Sequence, residues 1–212
     1  MRGVIFDMDG TLADSIGHYY ELARQIAERV EVTPVSREKV CELMGSGDPD
    51  LFRKLLPPDF SDFDKIGPIV RELVPPWMKA AKEIAPLPGC VELLHELHAR
   101  GHPLGVATSS GRALPYLDRW GTRHVFHTVI GREDHTRRKP HPEAVLNCLE
   151  GLGVAAGDAM YVGDSPIDIE AGRRAGVVTV GVLTGTSNRA VLAAVEPDHI
   201  LDSAADLLSL LE

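Results

Sequence analysis

Two aspartates close a short apolar run in this chain: Val4-Ile5-Phe6 leads directly into Asp7-Met8-Asp9-Gly10-Thr11. An uninterrupted apolar run of this kind reads as a strand buried on both faces of a parallel sheet. Carboxylates at its end therefore belong to the rim of the sheet, not its core. Side chains alternate along a strand, so Asp7 and Asp9 share one face and Met8 takes the other. Like charges that close repel unless a cation lies between them. A hard divalent ion with oxygen ligands fits, and magnesium takes one or two protein carboxylates. The same pair also reads as a polar strand end feeding a helix cap.

Further groups with chemical capacity recur at similar places along the chain. Thr108-Ser109-Ser110-Gly111 follows the apolar stretch ending at Ala107. Lys139 sits in Arg137-Arg138-Lys139-Pro140-His141-Pro142, and Gly163-Asp164-Ser165-Pro166-Ile167-Asp168 follows Met160-Tyr161-Val162. Each has a local structural reading. Thr108 could cap a helix, Lys139 could be solvated, and Asp168 could be a first-turn acid favoured by a helix dipole. Open parallel sheets bind ligands beyond the carboxyl ends of their strands. On adjacent strands, these carboxylates, hydroxyls and the ammonium would meet in one crevice.

The elements that must carry them follow from periodicity. A first strand over 2–6 precedes a stretch that reads as helical to about residue 74. Its apolar stripes are Leu22, Ile26 and Val30, then Val40, Leu43 and Met44, then Leu51, Leu55 and Leu56, then Ile69, Val70, Leu73 and Val74. Gly45-Ser46-Gly47-Asp48-Pro49 and Pro57-Pro58-Asp59 separate them, and Pro75-Pro76 should break or kink the last helix. Beyond Pro86-Leu87-Pro88-Gly89 the pattern alternates. Strands over 103–107, 125–130, 160–162, 177–183 and 199–201 alternate with helices over 91–100, 114–120, 142–152, 167–175 and 188–195, and a C-terminal helix follows. Alternation of this kind predicts an α/β fold, a doubly wound parallel sheet covered on both faces. The intervening helices form a small all-helical domain inserted after the first strand. The expected division is a core of 1–15 and 85–212 with a helical cap of 16–84.

Composition sets outer bounds. The chain has 212 residues, 44% hydrophobic and 25% charged, which is ordinary for a globular protein. Its net charge of −9 argues against nucleic acid or an anionic membrane as partner. Cys41, Cys90 and Cys148 are scattered and odd in number, no disulfide framework, so a reducing cytoplasm is the expected compartment. His95, His98 and His102 lack a carboxylate or cysteine partner in a recognisable zinc spacing and read as solvated surface residues.

Taken in order, these segments resemble the haloacid dehalogenase superfamily of phosphohydrolases. Asp7-Met8-Asp9-Gly10-Thr11 is similar to its first motif, and Thr108 to its second. Lys139-Pro140-His141-Pro142 is similar to the third, and Gly163-Asp164 through Asp168 to the fourth. The resemblance implies a nucleophilic Asp7 and an Asp9 acting as general acid and base. It implies magnesium held by Asp7, the Asp9 backbone carbonyl and Asp164, with Asp168 in support. Gly10, Thr108, Ser109, Ser110 and Lys139 would bind phosphate. The helical insertion resembles the cap of phosphoglycolate phosphatases and beta-phosphoglucomutases, with Gly45 and Ser46 in the loop that reaches over the substrate. Its cations Arg24, Arg53, Lys54 and Lys79 could meet an acidic substrate or simply cover solvated helix faces.

Asp9 favours phosphate-ester chemistry over dehalogenation. Gly163-Asp164 departs from the Glu-Asp pair usual in the mutases and favours a hydrolase. Thr108-Ser109-Ser110 departs from the Thr-Asn-Lys common in phosphoglycolate phosphatases and stands closer to sugar-phosphate members. The expected partner is a small phosphorylated metabolite and the expected state a monomer. The alternatives are a phosphosugar mutase, an inorganic pyrophosphatase and, more remotely, a non-catalytic phosphoacceptor domain.

Overall fold

The computed structural model describes residues 2–45, 54–56, 60, 63–81, 83–111 and 113–211. Strand β1 (Gly3–Phe6) is buried along its whole length and stands in the middle of a six-stranded sheet. Its neighbours are β2 (Leu104–Ala107) and β4 (Ala159–Gly163). Beyond β2 lies β3 (Thr128–Ile130), and beyond β4 come β5 (Val178–Val182) and β6 (His199–Leu201). Every pairing is parallel, with Phe6 opposite Val106 on one side and Val162 on the other. The order 3-2-1-4-5-6 reverses direction at β1, and such a switch point opens a crevice beyond the strand ends. Asp7 follows β1 into that crevice.

The alternation of β1 divides the core. Val4 and Phe6 pack with Val106, Val162 and Val180 against Leu94 and Leu97 of helix α4 (Cys90–Ala99) and Tyr116 and Leu117 of α5 (Ala113–Arg119). Ile5 faces the other way, with Ala107 and Tyr161, onto Val145 and Cys148 of α6 (Glu143–Leu152) and Ala171 of α7 (Pro166–Ala175). Helices cover both faces, as the alternating sequence pattern requires. A short α8 (Arg189–Ala193) is capped by Asn188, whose side chain accepts from the Val191 N–H.

Between β1 and α4 the chain forms α1 (Ile16–Arg29), α2 (Arg37–Gly45) and α3 (Ile66–Ala81). Leu22 and Ile26 of α1 pack on Ile66, Ile69, Leu73 and Trp77 of α3, while Ala23 meets Val40 and Leu43 of α2. Among the described residues, these clusters share no member with those flanking the sheet. The helical block thus carries its own apolar core. Leu55 and Leu56 belong to it, whereas Leu51 and the segments Ser46 to Pro49 and Pro57 to Asp59 lie outside the described residues.

Several expectations need correction. Pro75 and Pro76 do not end their helix, because α3 runs through both to Ala81. Each proline forfeits a backbone donor, but the apolar stripe either side of them is held on α1. The strand read over 125–130 is shorter, since Arg123–Val125 is a 3-10 turn and only Thr128–Ile130 pairs with β2. The C-terminal segment is also 3-10 (Ala204–Leu210), opened by a capping box between Ser203 and Asp206.

Candidate active site

The residue that draws the strand ends together is Lys139, in the loop after β3. Its Nζ donates to Asp7 Oδ1 at 2.8 Å, to Asp168 Oδ1 at 2.5 Å and to the Tyr161 hydroxyl at 3.1 Å. All are buried, so the ammonium is one cation among several anions in a poorly solvated space. Burial opposes its charge, yet Asp168 and Asp7 outweigh that effect and hold Lys139 well above the ordinary lysine range. The solvated alternative for Lys139 is therefore excluded.

Asp7, Asp164 and Asp168 each offer a carboxylate oxygen within 4.8 Å of the others. Burial pushes Asp7 up to about 6, against the pull of Lys139. Burial also raises Asp164 to about 7, with Asp168 and Asp7 adding repulsion and bonds from Thr186 opposing it. Both carboxylates are thus short of positive charge in the protein alone. A buried all-oxygen donor set with that deficit fits a hard divalent cation. Asp168 is the least available of the three. Its Oδ1 takes Lys139, and its Oδ2 accepts from the Ser165 N–H at 3.1 Å and hydroxyl at 2.5 Å, forming the capping box of α7. It braces Lys139 and starts a helix at the same time.

Asp9 lies two residues along, partly exposed, with its Oδ1 buried and without a hydrogen-bond partner among the described residues. A buried, unpaired carboxylate oxygen is costly and marks a position awaiting a partner. Gly10 takes a φ of +78°, accessible to glycine at little cost, and turns the chain back so that its N–H reaches the Ala13 carbonyl. Thr108 is buried at the end of β2, and its Oγ1 accepts from the Ser110 N–H at 3.2 Å. Behind it, His135 sets Nε2 3.3 Å from the Thr108 carbonyl oxygen. Ser109 is half-buried, while Ser110 also lines a surface cleft with Gly111, Val129 and Arg132.

Three supports escaped the sequence reading. Tyr161 of β4, apparent only as a strand residue, donates its hydroxyl to the Ala107 carbonyl at 2.7 Å, spanning the end of β1. Thr186 donates both its N–H, at 2.6 Å, and its hydroxyl, at 2.7 Å, to Asp164 Oδ2. Thr184 donates to the Gly10 carbonyl at 2.8 Å. The signal available was the position of Thr184-Gly185-Thr186-Ser187 immediately after a strand, the same placement that singles out Thr108.

Other expected residues fall elsewhere. Gly45 ends α2, and Ser46 and Arg53 lie outside the described residues. Arg24 is tied to Glu21 and Glu28 on an exposed face of α1, so its solvated reading holds. Lys54 and Lys79 are exposed. His95 and His98 are exposed on α4, with rings 5.7 and 6.3 Å from that of His124. His102 is not solvated. Gly101, at φ +79°, ends the helix and tucks His102 inward, where its Nδ1 lies 2.8 Å from the Arg2 carbonyl oxygen.

Comparison with known proteins matches this arrangement. The sequence model of haloacid dehalogenase-like hydrolases covers residues 4–182. The phosphoglycolate phosphatase of Salmonella typhi is 31% identical over 230 aligned positions, spanning 98% of this chain and 91% of that protein. Its Escherichia coli K12 counterpart is 30% identical with the same coverage. Among solved structures, a predicted phosphoglycolate phosphatase from Haemophilus somnus superposes with a TM-score of 0.86 at 25% identity, covering 100% of this chain and 98% of that one. A beta-phosphoglucomutase from Clostridium difficile shares the fold, with a TM-score of 0.76 at 24% identity over 98% and 93% of the two chains. The span of these matches, from β1 through β5, includes every strand end that feeds the Lys139 cluster, and the chain belongs to the haloacid dehalogenase-like hydrolases.

Proposed function

We propose that this phosphatase is a magnesium-dependent phosphomonoesterase acting on a small phosphorylated metabolite, of the phosphoglycolate or sugar-phosphate class, through an aspartyl-phosphate. The observation that carries the reading is the buried bridge from Asp7 through Lys139 to Asp168, with Asp164 alongside. A lysine that fixes one oxygen of Asp7 leaves the other to attack phosphorus. Asp9 would protonate the departing alkoxide and then deprotonate the water that opens the acyl phosphate. Its unpaired Oδ1 gives that role a physical basis. Thr108, with Ser109, Ser110 and the Gly10 backbone, would hold phosphate oxygens, and Lys139 would balance charge on the phosphate and Asp7 as it shifts in the transition state.

Asp7, Asp164 and the Asp9 backbone carbonyl would hold magnesium, with Asp168 behind them, and the ion when bound would neutralise the repulsion between anionic nucleophile and anionic phosphate. Helices α1 to α3, within residues 16–84, are proposed as the cap that closes over this crevice. Closure would exclude water during the first step and admit it for the second. Hinges are assigned near Asp14 and near Ala85, where the Asp14 N–H meets the Ala85 carbonyl and the two connections run side by side.

The test is a panel of phosphoglycolate, hexose phosphates, nucleotides and pyrophosphate assayed with and without magnesium. Sustained release of inorganic phosphate from one monoester, dependent on magnesium, supports the reading. Interconversion of sugar phosphates without phosphate release would make it a mutase instead. Phosphorylation without turnover would make it a phosphoacceptor.

A further inference from the structure

The strap that follows β5 contacts both the Asp7 loop and Asp164, though its sequence carries no acid, base or charge: Thr184-Gly185-Thr186. We infer that Thr186 is a positioning residue for Asp164, selecting which carboxylate oxygen faces the metal site and setting how tightly that site holds a divalent cation. The inference rests on the magnesium-dependent reading above.

The two oxygens of Asp164 are not equivalent. Oδ2 accepts the Thr186 N–H at 2.6 Å and the Thr186 hydroxyl at 2.7 Å. Oδ1 receives one long contact, from the Thr11 hydroxyl at 3.4 Å. Charge-assisted bonds near 2.7 Å are the strong kind, so Oδ2 is committed to the strap and Oδ1 is the oxygen left for a ligand. The restraint has something to work against. Asp164 is buried beside Asp7 and Asp168, and in the absence of a cation their mutual repulsion favours swinging the Asp164 carboxylate outward. Thr186 holds it in place.

The backbone around Thr186 is shaped for the same contact. A Cβ on Gly185 would overlap the Asp164 carboxyl group. A Cβ on Gly10 would come within 2.9 Å of both Asp164 Oδ2 and the Gly185 Cα. The bond from Thr184 to the Gly10 carbonyl, at 2.8 Å, completes the clamp. Nucleophile loop, metal ligand and strap therefore pack closely, with glycine at the two positions, Gly10 and Gly185, where a Cβ would collide. Loss of outer partners of this kind typically weakens metal binding by about 10- to 100-fold.

The experiment measures magnesium binding directly, by titration calorimetry on untagged ion-free protein, with manganese binding followed by electron paramagnetic resonance as a second probe. Thr186→Val removes the hydroxyl and keeps the N–H, so magnesium affinity is expected to fall about tenfold or more. Thr186→Ser is expected to restore wild-type affinity. Thr186→Ala, which adds no bulk, serves if the valine variant does not fold. Thr179→Val is the matched control, because Thr179 on β5 donates its N–H and hydroxyl to Asp198 in the same pattern but outside the Asp7-Asp164-Asp168 group. It should bind magnesium normally. Wild-type protein that neither binds magnesium nor releases phosphate sinks the functional reading itself. Wild-type protein that does both, with Thr186→Val and Thr186→Ala binding equally well, or with Thr186→Ser as weak as the valine, overturns this inference alone.

Discussion

The Tyr161 hydroxyl lies 3.1 Å from Lys139 Nζ, accepting from the ammonium while it donates to the Ala107 carbonyl at 2.7 Å. A phenol on β4 thus links the end of β2 to the lysine carried by the loop after β3. Burial raises Tyr161 well above the ordinary tyrosine range, which keeps the hydroxyl proton available for that bond. Tyr161→Phe is expected to lower stability by about 1–2 kcal/mol, because the buried Ala107 carbonyl loses its donor. It should also slow turnover several-fold, since Lys139 loses one of its three partners. Urea denaturation and steady-state kinetics on one preparation measure both.

Asp7→Asn should reduce hydrolysis by about 10⁴-fold or more, because the amide is a poor nucleophile for phosphorus. Asp9→Asn should cost about 10²–10⁴-fold in kcat/KM, which reports the phosphorylation step, with an alkyl phosphate and far less with an activated aryl phosphate, whose leaving group needs no proton. Equal losses of kcat/KM on both substrates would remove Asp9 from the general-acid role.

Lys139→Met leaves Asp7 and Asp168 facing each other in a buried space. Removing one partner of a buried ionic cluster costs about 3–5 kcal/mol, so the variant should be markedly less stable as well as inactive. The loss should be smaller near pH 5, where the Asp7 carboxyl, already raised to about 6 by burial, takes up a proton once Lys139 is gone. A pH-independent loss would show that Lys139 contributes by packing and not by charge.

The pH dependence of the ion-free protein has a definite sign. Burial raises Asp7 from 3.8 to about 6 and Asp164 from 3.8 to about 7. A carboxyl raised on folding binds more protons in the native state, so it favours the fold below its unfolded value and that benefit is lost as pH climbs through the folded one. Thermal stability without metal should therefore decline as pH rises from about 4 to about 7 and level off above that. Magnesium competes with the same protons, so its affinity should rise over that interval and its binding should release protons. Calorimetry in buffers of differing ionisation enthalpy detects the release. An unchanged magnesium affinity over that interval would be the contrary result.

Gly185→Ala tests the close approach of the strap. The added Cβ has no space beside the Asp164 carboxyl, so that side chain must shift. The expected outcome is a folded protein, by far-UV circular dichroism, with weakened metal binding and reduced turnover.

How far the sequence discloses this molecule depends on whether a signal is local. The strands declared themselves through short apolar runs, and Asp7, Asp164 and Asp168 could be placed at strand ends because each follows such a run directly. Lys139 could be placed too, because the Pro140-His141-Pro142 that follows sets it apart from Arg137 and Arg138 by resemblance, and its burial against Asp7 and Asp168 supplies the physical reason. Tyr161 and Thr186 could not be assigned roles, because their partners Ala107 and Asp164 are 54 and 22 residues away in sequence. Their function exists only once β2 and β4 have docked on either side of β1 and β5 beside β4. Pro75 and Pro76 show the opposite case: the break they signal locally does not occur where α3 packs on α1.

The separate apolar core of α1 to α3 has an evolutionary corollary. Those clusters share no described residue with the ones flanking the sheet, so with α1 to α3 in the proposed role of cap, substitutions in the block should perturb catalysis through what it admits to the crevice. Selectivity can drift under selection while the acid, base and nucleophile stay fixed. The fold thereby separates inheritance of the reaction from inheritance of the substrate.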